Sequence, residues 1–293
     1  MLARRAFLAL LPALIALPTF AADKAPAPDV KPKRVLLVTH SGGFVHSSVG
    51  FAEDTLKAIG PKHGLEVTCW RFTEDPDKKV KIKENKDAPE KEVTALEAYN
   101  IKFRGTGKTV AKENCGRINK ETLKNFDVVL FFTTGSPVNK EELVDLMDWI
   151  KAGGAFAGTH CATDTLYNTA YGDLIGGYFD GHPWHQKIAI KVEDPKHATG
   201  VGFETGNEIK DEIYQFKDYS REKLHVILSV DNSSIDVSKG KRADKDYAIS
   251  WVKDYGKGRV FYTSLGHNNE VWKDPRFQTH LVAGLKWAME APK

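Results

Sequence analysis

Short apolar runs alternate with amphipathic stretches along the first half of the chain. Strands are predicted at 34–39, 65–72, 127–132 and 155–159, and the first is apolar throughout, as in a strand buried on both faces. One helix is predicted at 47–59, and another follows a capping-box pattern at 139–142 and ends before Gly153. Strand, helix and strand at this spacing predict parallel crossovers and a doubly wound α/β sheet.

The pattern changes in the second half. Residues 187–192 alternate strictly between apolar and polar positions, and further strands are predicted at 225–230, 247–252 and 259–263 before a last helix at 274–289. Strict alternation is typical of strands with one solvated face. The expected architecture is therefore a mostly parallel layered sheet with antiparallel additions.

Two stretches depart from this pattern. Residues 73–118 are dominated by lysines and acids, and the expectation is a charged surface insertion within a single domain of residues 34–293. At the N-terminus, Arg4 and Arg5 precede an apolar run, and Thr19 and Ala21 stand at cleavage positions. Residues 1–21 therefore predict a signal peptide, of the general secretory or the twin-arginine kind, followed by a Pro-rich linker at 22–33.

This signal predicts a periplasmic or secreted protein. The apolar run is too short for a transmembrane helix, and no later segment of the sequence is long enough, so no membrane association is expected after signal removal. Lys and Arg total 42 against 39 Asp and Glu, which argues against nucleic acid as a partner. Cys69, Cys115 and Cys161 lack the spacing of a thiolate zinc site.

Histidines follow several of the predicted strands. Ligands of open α/β sheets bind beyond the carboxyl ends of the strands, and His40, His160 and His267 each fall at or after such an end. We therefore expect them at one rim of the sheet. Imidazole binds metals when neutral and transfers protons near pH 7, so the rim predicts either chemistry.

Two further segments add candidates to this rim. His46 follows the Ser41-containing glycine loop, and residues 180–185 contain an acid, two histidines and an indole. The indole of Trp184 has a flat apolar face of the kind on which sugar C–H groups stack, although packing in the core would explain it equally well.

The segment at 158–162 resembles a nucleophile elbow, a strand that enters a tight turn before a helix. Its apex is His160 and not Cys161, which favours acid–base work or metal binding over acyl transfer. Asp164 follows four positions later. It could orient the imidazole of His160, or it could cap the following helix.

Four stretches of the sequence together resemble the trehalose-utilisation, or ThuA-like, family. They are VTHSGGFVH at 38–46, FAGTHCATD at 156–164, GGYFDGHP at 176–183 and VFYTSLGH at 260–267. The resemblance implies a flavodoxin-like layered α/β fold similar to class I glutamine amidotransferases. It also implies disaccharide or 3-keto-glycoside metabolism, with a small carbohydrate as partner. Because His160 stands at the amidotransferase nucleophile position, glutamine hydrolysis is not expected.

The first functional hypothesis is a sugar-active enzyme. A ketone at C3 of a pyranose acidifies the C2 proton, and its removal leads to isomerisation or to elimination and glycoside cleavage. His160, oriented by Asp164, would be the base and His267 the acid. The substrate-binding candidates are Ser41, Ser136, Trp184 and Asn268.

A divalent metal, zinc or manganese, could stabilise charge in this reaction, and no nucleotide cofactor is expected. The candidate ligands are His40, His46, His182 and His185, with Asp180 or Glu212 as carboxylates. An exposed turn before a strand is the other interpretation of Glu212. Two alternatives to the enzyme stay open: a non-catalytic carbohydrate-binding protein, and a thiol hydrolase that uses Cys161 with His267.

Overall fold

A computed structural model describes residues 31–83, 85–102 and 109–290 of the chain. The strands are β1 (Lys33–Val38), β2 (Leu65–Trp70), β3 (Lys79–Ile82), β4 (Lys91–Thr94), β5 (Val128–Phe131), β6 (Ala155–Thr159), β7 (Tyr178–Phe179), β8 (Trp184–Val192), β9 (Glu208–Ile213), β10 (Phe216–Lys217), β11 (His225–Val230), β12 (Ala248–Tyr255) and β13 (Gly258–Thr263). The helices are α1 (Val49–Ile59), α2 (Ala95–Lys102), α3 (Lys120–Leu123), α4 (Lys140–Lys151), α5 (Tyr171–Ile175), α6 (Asn269–Lys273) and α7 (Pro275–Met289).

Nine of these strands form one sheet in the order β2-β1-β5-β6-β13-β12-β11-β8-β9. The first five are parallel to one another, and the last four are added in antiparallel orientation. The predicted mostly parallel sheet with antiparallel additions is thus confirmed. Because β1, β5, β6 and β13 are parallel, their carboxyl ends meet at one edge.

Helices cover both faces of the sheet, because its central strands are apolar on both sides. In β1, Val35 and Leu37 pack with residues of α1 and α7, whereas Leu36 and Val38 pack with residues of α4 and α5. The capping box that the sequence predicts is present, since Asn139 and Glu142 each accept the other's backbone N–H at the start of α4.

The charged stretch 73–118 contains the hairpin β3–β4 and helix α2. Its few apolar side chains form a small cluster that includes Leu96 and Tyr99 and packs against Phe72 and Val45. The insertion therefore rests on the segment that follows β1. This segment, which we call the β1 loop, is residues 39–48.

The predicted signal peptide at 1–21 and most of the linker lie outside the described residues. Among the described residues, no helix combines the length and the apolar character needed to span a bilayer.

Candidate functional site

His160 stands at the centre of a polar cluster beyond the carboxyl end of β6. Its side chain is fully buried, and its backbone adopts a left-handed conformation with φ +46°. Such a conformation costs energy in any residue other than glycine, and it recurs at functional sites. It starts the short 3-10 turn His160–Thr163.

A backbone carbonyl determines which nitrogen of this imidazole carries a hydrogen. The Nδ1 atom of His160 lies 2.9 Å from the carbonyl oxygen of Ser264, in the loop after β13. A carbonyl oxygen only accepts, so Nδ1 carries a hydrogen and donates it. In its neutral form His160 therefore has its lone pair on Nε2. The sequence assigned this orienting role to Asp164, and the structure gives it to Ser264.

Four polar atoms surround the Nε2 atom of His160. The Tyr214 hydroxyl is 2.8 Å away, His46 Nε2 3.2 Å, His267 Nδ1 3.3 Å and Glu212 Oε2 3.5 Å. Glu212 Oε2 also lies 3.2 Å from His267 Nδ1. Lone pairs this close repel one another unless a positive charge, a proton or a metal cation, lies among them.

His46 comes to this cluster from the β1 loop. The Ser48 hydroxyl donates to the carbonyl oxygen of Gly266 at 3.1 Å, which ties this loop to the loop after β13. Burial first, and then the imidazoles of His160 and His267, lower the pKa of His46 from 6.5 to about 2. His46 is therefore neutral near pH 7, which is the state in which imidazole binds a metal.

Glu212 supplies the negative charge of the cluster. Burial opposes its ionisation, but the neighbouring imidazoles of His160 and His267 outweigh burial and hold the pKa of this carboxyl well below its ordinary value. The bond to Glu212 in turn raises the pKa of His267. The second oxygen of Glu212, Oε1, lies 3.4 Å from Nδ1 of His182.

Asp211, the neighbour of Glu212 in β9, shapes the loop that carries His267. Its buried carboxylate accepts the backbone N–H groups of Gly266 at 2.7 Å, His267 at 3.3 Å and Asn268 at 3.0 Å. Burial is the largest influence on the pKa of Asp211 and raises it. Strand β9 thus supplies Glu212 to the cluster and, through Asp211, fixes the backbone of His267.

The cluster fits a divalent metal ion. The ligand atoms of His46, His160, Glu212 and His267 all lie within 4.8 Å of one another. Metal–ligand bonds of the length found at zinc place neighbouring ligands of a tetrahedron about 3.3 Å apart. Four of the six separations, 3.2 to 3.5 Å, are close to that spacing, and the other two are within 4.8 Å. This His/Glu cluster could therefore hold a metal.

Two other predicted residues lie at the edge of the cluster. His182 is 52 % exposed in its side chain and stacks on Phe179. His185 is exposed as well, with Nε2 3.3 Å from Oδ1 of Asn268, and its ring lies 5.1 Å from that of His267. The segment after β7 and the start of β8 therefore lie on the solvent-exposed side of the cluster.

Other predicted residues lie apart from the cluster. Nδ1 of His40 lies 3.0 Å from the Thr73 hydroxyl, and the ring packs between Phe72 and Tyr99. Burial first, and then Lys102, lower the pKa of His40 to about 4. His40 is thus a structural residue and not a member of the ligand group that the sequence proposed.

Trp184 does not lie at the site, where it was expected to stack on a sugar. Its ring is buried in the core, and its N–H donates to the Asp236 carbonyl at 3.0 Å, so it has no free face for a sugar. Asp180, expected as a ligand, pairs with Lys241 at 3.3 Å. Ser136 lines a separate cavity of about 320 Å³ beside Thr73.

The backbone N–H of Ser41 donates to the Tyr99 hydroxyl. Asp164 is not among the atoms around His160 Nε2. It ends the 3-10 turn, and burial raises the pKa of its carboxyl. Cys161 is wholly buried, which raises the pKa of its thiol well above the ordinary value.

Sequence analysis missed two residues of this site, Asp211 and Tyr214, although the pattern around Asp211 could have identified it. Glu212, a candidate carboxylate ligand, does lie in the cluster, and its other interpretation as an exposed turn is wrong because it is nearly buried in β9. Asp211 shares its strand face with Ile209 and Ile213. A carboxylate at a core position of an alternating strand is the signal that identifies it.

A larger cavity, of about 680 Å³, touches none of the cluster residues. Its lining is charged, and Arg221 there is bound by both Asp246 and Glu193. The cluster, and not this cavity, is the chemically distinctive site of the described residues.

Known families and structures agree with the fold. A family model described as trehalose utilisation, ThuA, matches residues 34–288. A solved ThuA-like protein from Bacteroides uniformis is 18 % identical with a TM-score of 0.61, covering 92 % of this chain and 95 % of that one. A ThuA-like protein from Parabacteroides merdae is 14 % identical with a TM-score of 0.57, covering 89 % and 91 %.

A cytoplasmic protein from Salmonella typhimurium is 11 % identical with a TM-score of 0.51, covering 87 % of this chain and 98 % of that one. At these identities the structural likeness shows the fold alone. No curated protein matches the chain significantly.

Proposed function

Because the chain belongs to the ThuA, or trehalose-utilisation, family, a family related to carbohydrate metabolism, we propose that it is an enzyme acting on a glycoside or 3-keto-glycoside at the His46–His160–Glu212–His267 cluster. The observation that carries this proposal is the convergence of three imidazole nitrogens and one carboxylate oxygen on a single point. Such a set both holds a cation and transfers protons.

We propose zinc or manganese as the ion that these four residues hold. A bound divalent cation would supply Lewis-acid stabilisation of the negative charge that develops on a sugar oxygen. The neutral Nε2 of His160, fixed by the Ser264 carbonyl, suits a ligand. Burial raises the pKa of Tyr214 well above its ordinary value, so its hydroxyl keeps its hydrogen and donates it to Nε2 of His160 when no ion occupies that lone pair.

The exposure of the histidines separates their roles. His160 is fully buried and surrounded, so it suits a ligand better than the base expected from the sequence. His182 is exposed, and Glu212 Oε1 beside its Nδ1 favours the tautomer with a lone pair on Nε2. We therefore assign removal of the C2 proton of a 3-keto-pyranose to His182. Sequence analysis assigned His267 the role of acid, but as a ligand of the proposed ion it binds in its neutral form.

Metal analysis of the purified protein and incubation with 3-keto-glucosides test this proposal together. About one metal ion per chain and conversion of the sugar are expected, and His160→Ala should abolish both. A protein that binds the sugar with no conversion and no metal would instead be a carbohydrate-binding protein of the same fold.

Export is a second part of the proposal. We propose that residues 1–21 direct the chain to the periplasm or the medium, because they combine paired arginines, an apolar run and small residues at the cleavage positions. Cell fractionation and N-terminal sequencing of the mature protein test it, with a new N-terminus at Ala22 as the expected result.

A further inference from the structure

Phe44 is an exposed aromatic ring beside a polar site. Among the large apolar side chains of the described residues, Phe44, Val144 and Val201 are the exposed ones, and Phe44 is the most exposed at 64 %. Its ring stands edge-on to His46, with centroids 4.8 Å apart and an interplanar angle of 76°. The exposed ring thus borders the cluster directly.

The backbone under this ring is held in place. The Thr134 hydroxyl donates to the carbonyl oxygen of Phe44 at 2.7 Å and accepts the N–H of Gly43 at 3.1 Å. The N–H of Gly42 donates to the Thr134 carbonyl at 2.8 Å. Gly135 lies against this loop with φ +75°, and a Cβ there would come within 2.8 Å of the Gly43 nitrogen.

The charged insertion supports the same loop from the other side. The Tyr99 hydroxyl accepts the N–H of Ser41 at 2.7 Å, and Lys102 Nζ donates to the carbonyl oxygen of Gly42 at 2.8 Å. An apolar ring that is exposed on a fixed loop loses little further entropy when a ligand covers it.

We propose that Phe44 is the stacking platform of a sugar subsite, on which the C–H face of a pyranose ring lies next to the cluster. An aromatic face offers apolar area and a negative quadrupole to C–H groups, while the hydroxyl and carbonyl edges of the sugar stay free for the polar residues. Phe44 thus takes the role that the sequence gave to Trp184. This inference rests on the proposed function and specifies the hexopyranoside ring as its ligand.

Steady-state kinetics with a methyl 3-keto-glucoside test the platform in four proteins: wild type, Phe44→Ala, Phe44→Leu and Phe44→Trp. Phe44→Ala should raise KM about tenfold with kcat changed less than about twofold, the size of effect that a lost aromatic contact has on binding. Phe44→Leu keeps an apolar side chain without a flat face, so its KM should lie between those of the wild type and Phe44→Ala. The KM of Phe44→Trp should match that of the wild type.

Two measurements separate stacking from a structural role. Metal content should be the same in all four proteins, and Val144→Ala, an exposed apolar control, should leave KM unchanged. The added indole of Phe44→Trp should also report sugar by a fluorescence change that the wild type lacks.

An unchanged KM in Phe44→Ala, or an equal rise in Phe44→Ala and Phe44→Trp, would overturn the platform while leaving the proposed function intact. A wild type that neither binds nor converts the sugar would overturn the proposed function itself.

Discussion

The carboxylate of Asp211 accepts the backbone N–H of Gly266 at 2.7 Å, although the two residues belong to strand β9 and to the loop after β13. Bonds from the next two N–H groups extend this contact across residues 267 and 268. Because Glu212 follows Asp211 in the same strand, a shift of β9 would move the carboxylate of the cluster and the backbone of His267 together.

Asp211→Asn should damage both stability and the site. An amide presents an N–H to at least one of the donors that the carboxylate now accepts, and leaving buried donors unpaired costs about 1–3 kcal/mol each. We expect the free energy of unfolding to fall by about 2–4 kcal/mol. Denaturant titration measures the loss, and metal titration of the folded variant should show weaker binding. Equal stability in the variant would contradict the role given to Asp211.

Glu212→Gln should remove metal binding while keeping the shape of the side chain. The variant loses the negative charge that offsets the cation, so affinity should fall by more than about 100-fold, beyond what outer-shell partners contribute. Isothermal titration with zinc measures the change. Glu208→Gln is a matched control on the same strand, since Glu208 is exposed and pairs with Lys187. The two variants binding zinc alike would rule out Glu212 as a ligand.

Cys161→Ala should keep activity. The thiol is buried and its pKa is raised, so little thiolate forms near pH 7 and no nucleophile is available. We expect kcat within about twofold of the wild type and a stability loss of about 1 kcal/mol for the removed buried sulfur. Loss of turnover in a folded Cys161→Ala protein would instead support the hypothesis of a thiol hydrolase that uses Cys161.

His280 should make the protein less stable in mild acid. It is fully buried, with Nδ1 2.9 Å from the Thr199 carbonyl oxygen, and burial lowers its pKa from 6.5 to about 4. Between these values the unfolded chain binds a proton that the folded chain does not, so stability is full above about pH 6.5 and decreases as pH falls toward 4. The difference between the pKa of 6.5 in the unfolded chain and about 4 in the folded chain corresponds to a loss of unfolding free energy on the order of 3 kcal/mol.

Comparison with His280→Gln isolates this contribution, because the lowered pKa of His40 contributes equally in both proteins. The variant should show a shallower fall of unfolding free energy with decreasing pH, measured by urea titrations from pH 7 to pH 4.5. Parallel curves for the two proteins would exclude His280 as the group responsible.

The parallel half of the sheet could be predicted from the sequence, because continuous apolar runs such as 34–39 identify strands buried on both faces. The same rule brought His160 and His267 to one rim, since the end of each strand fixes where the next residue lies. It could not give the direction of a side chain. His40 ends β1 at this rim, yet its ring turns toward Thr73 and away from the cluster.

Strand β9 escaped prediction for a different reason. Its exposed face carries Glu208 and Lys210, so the segment has the composition of a surface turn. Only its pairing with β8 reveals that it is a strand. The sequence assigned sugar stacking to Trp184, whereas we propose Phe44 for it, and the reason for this difference is the same. Which of two aromatic residues is covered depends on neighbours that are distant in sequence, and local pattern does not contain them.

The position of β13 between β6 and β12 has a consequence for biosynthesis. His160 and the Ser264 carbonyl that orients it are 104 positions apart, and β13 is the last strand of the described residues. A nascent chain that has not yet released 258–267 lacks both β13, one of the two strands that pair with β6, and the imidazole of His267. Assembly of the cluster therefore waits until β13 and the loop after it have been made, and any fragment cut short before β13 is expected to lack the cluster.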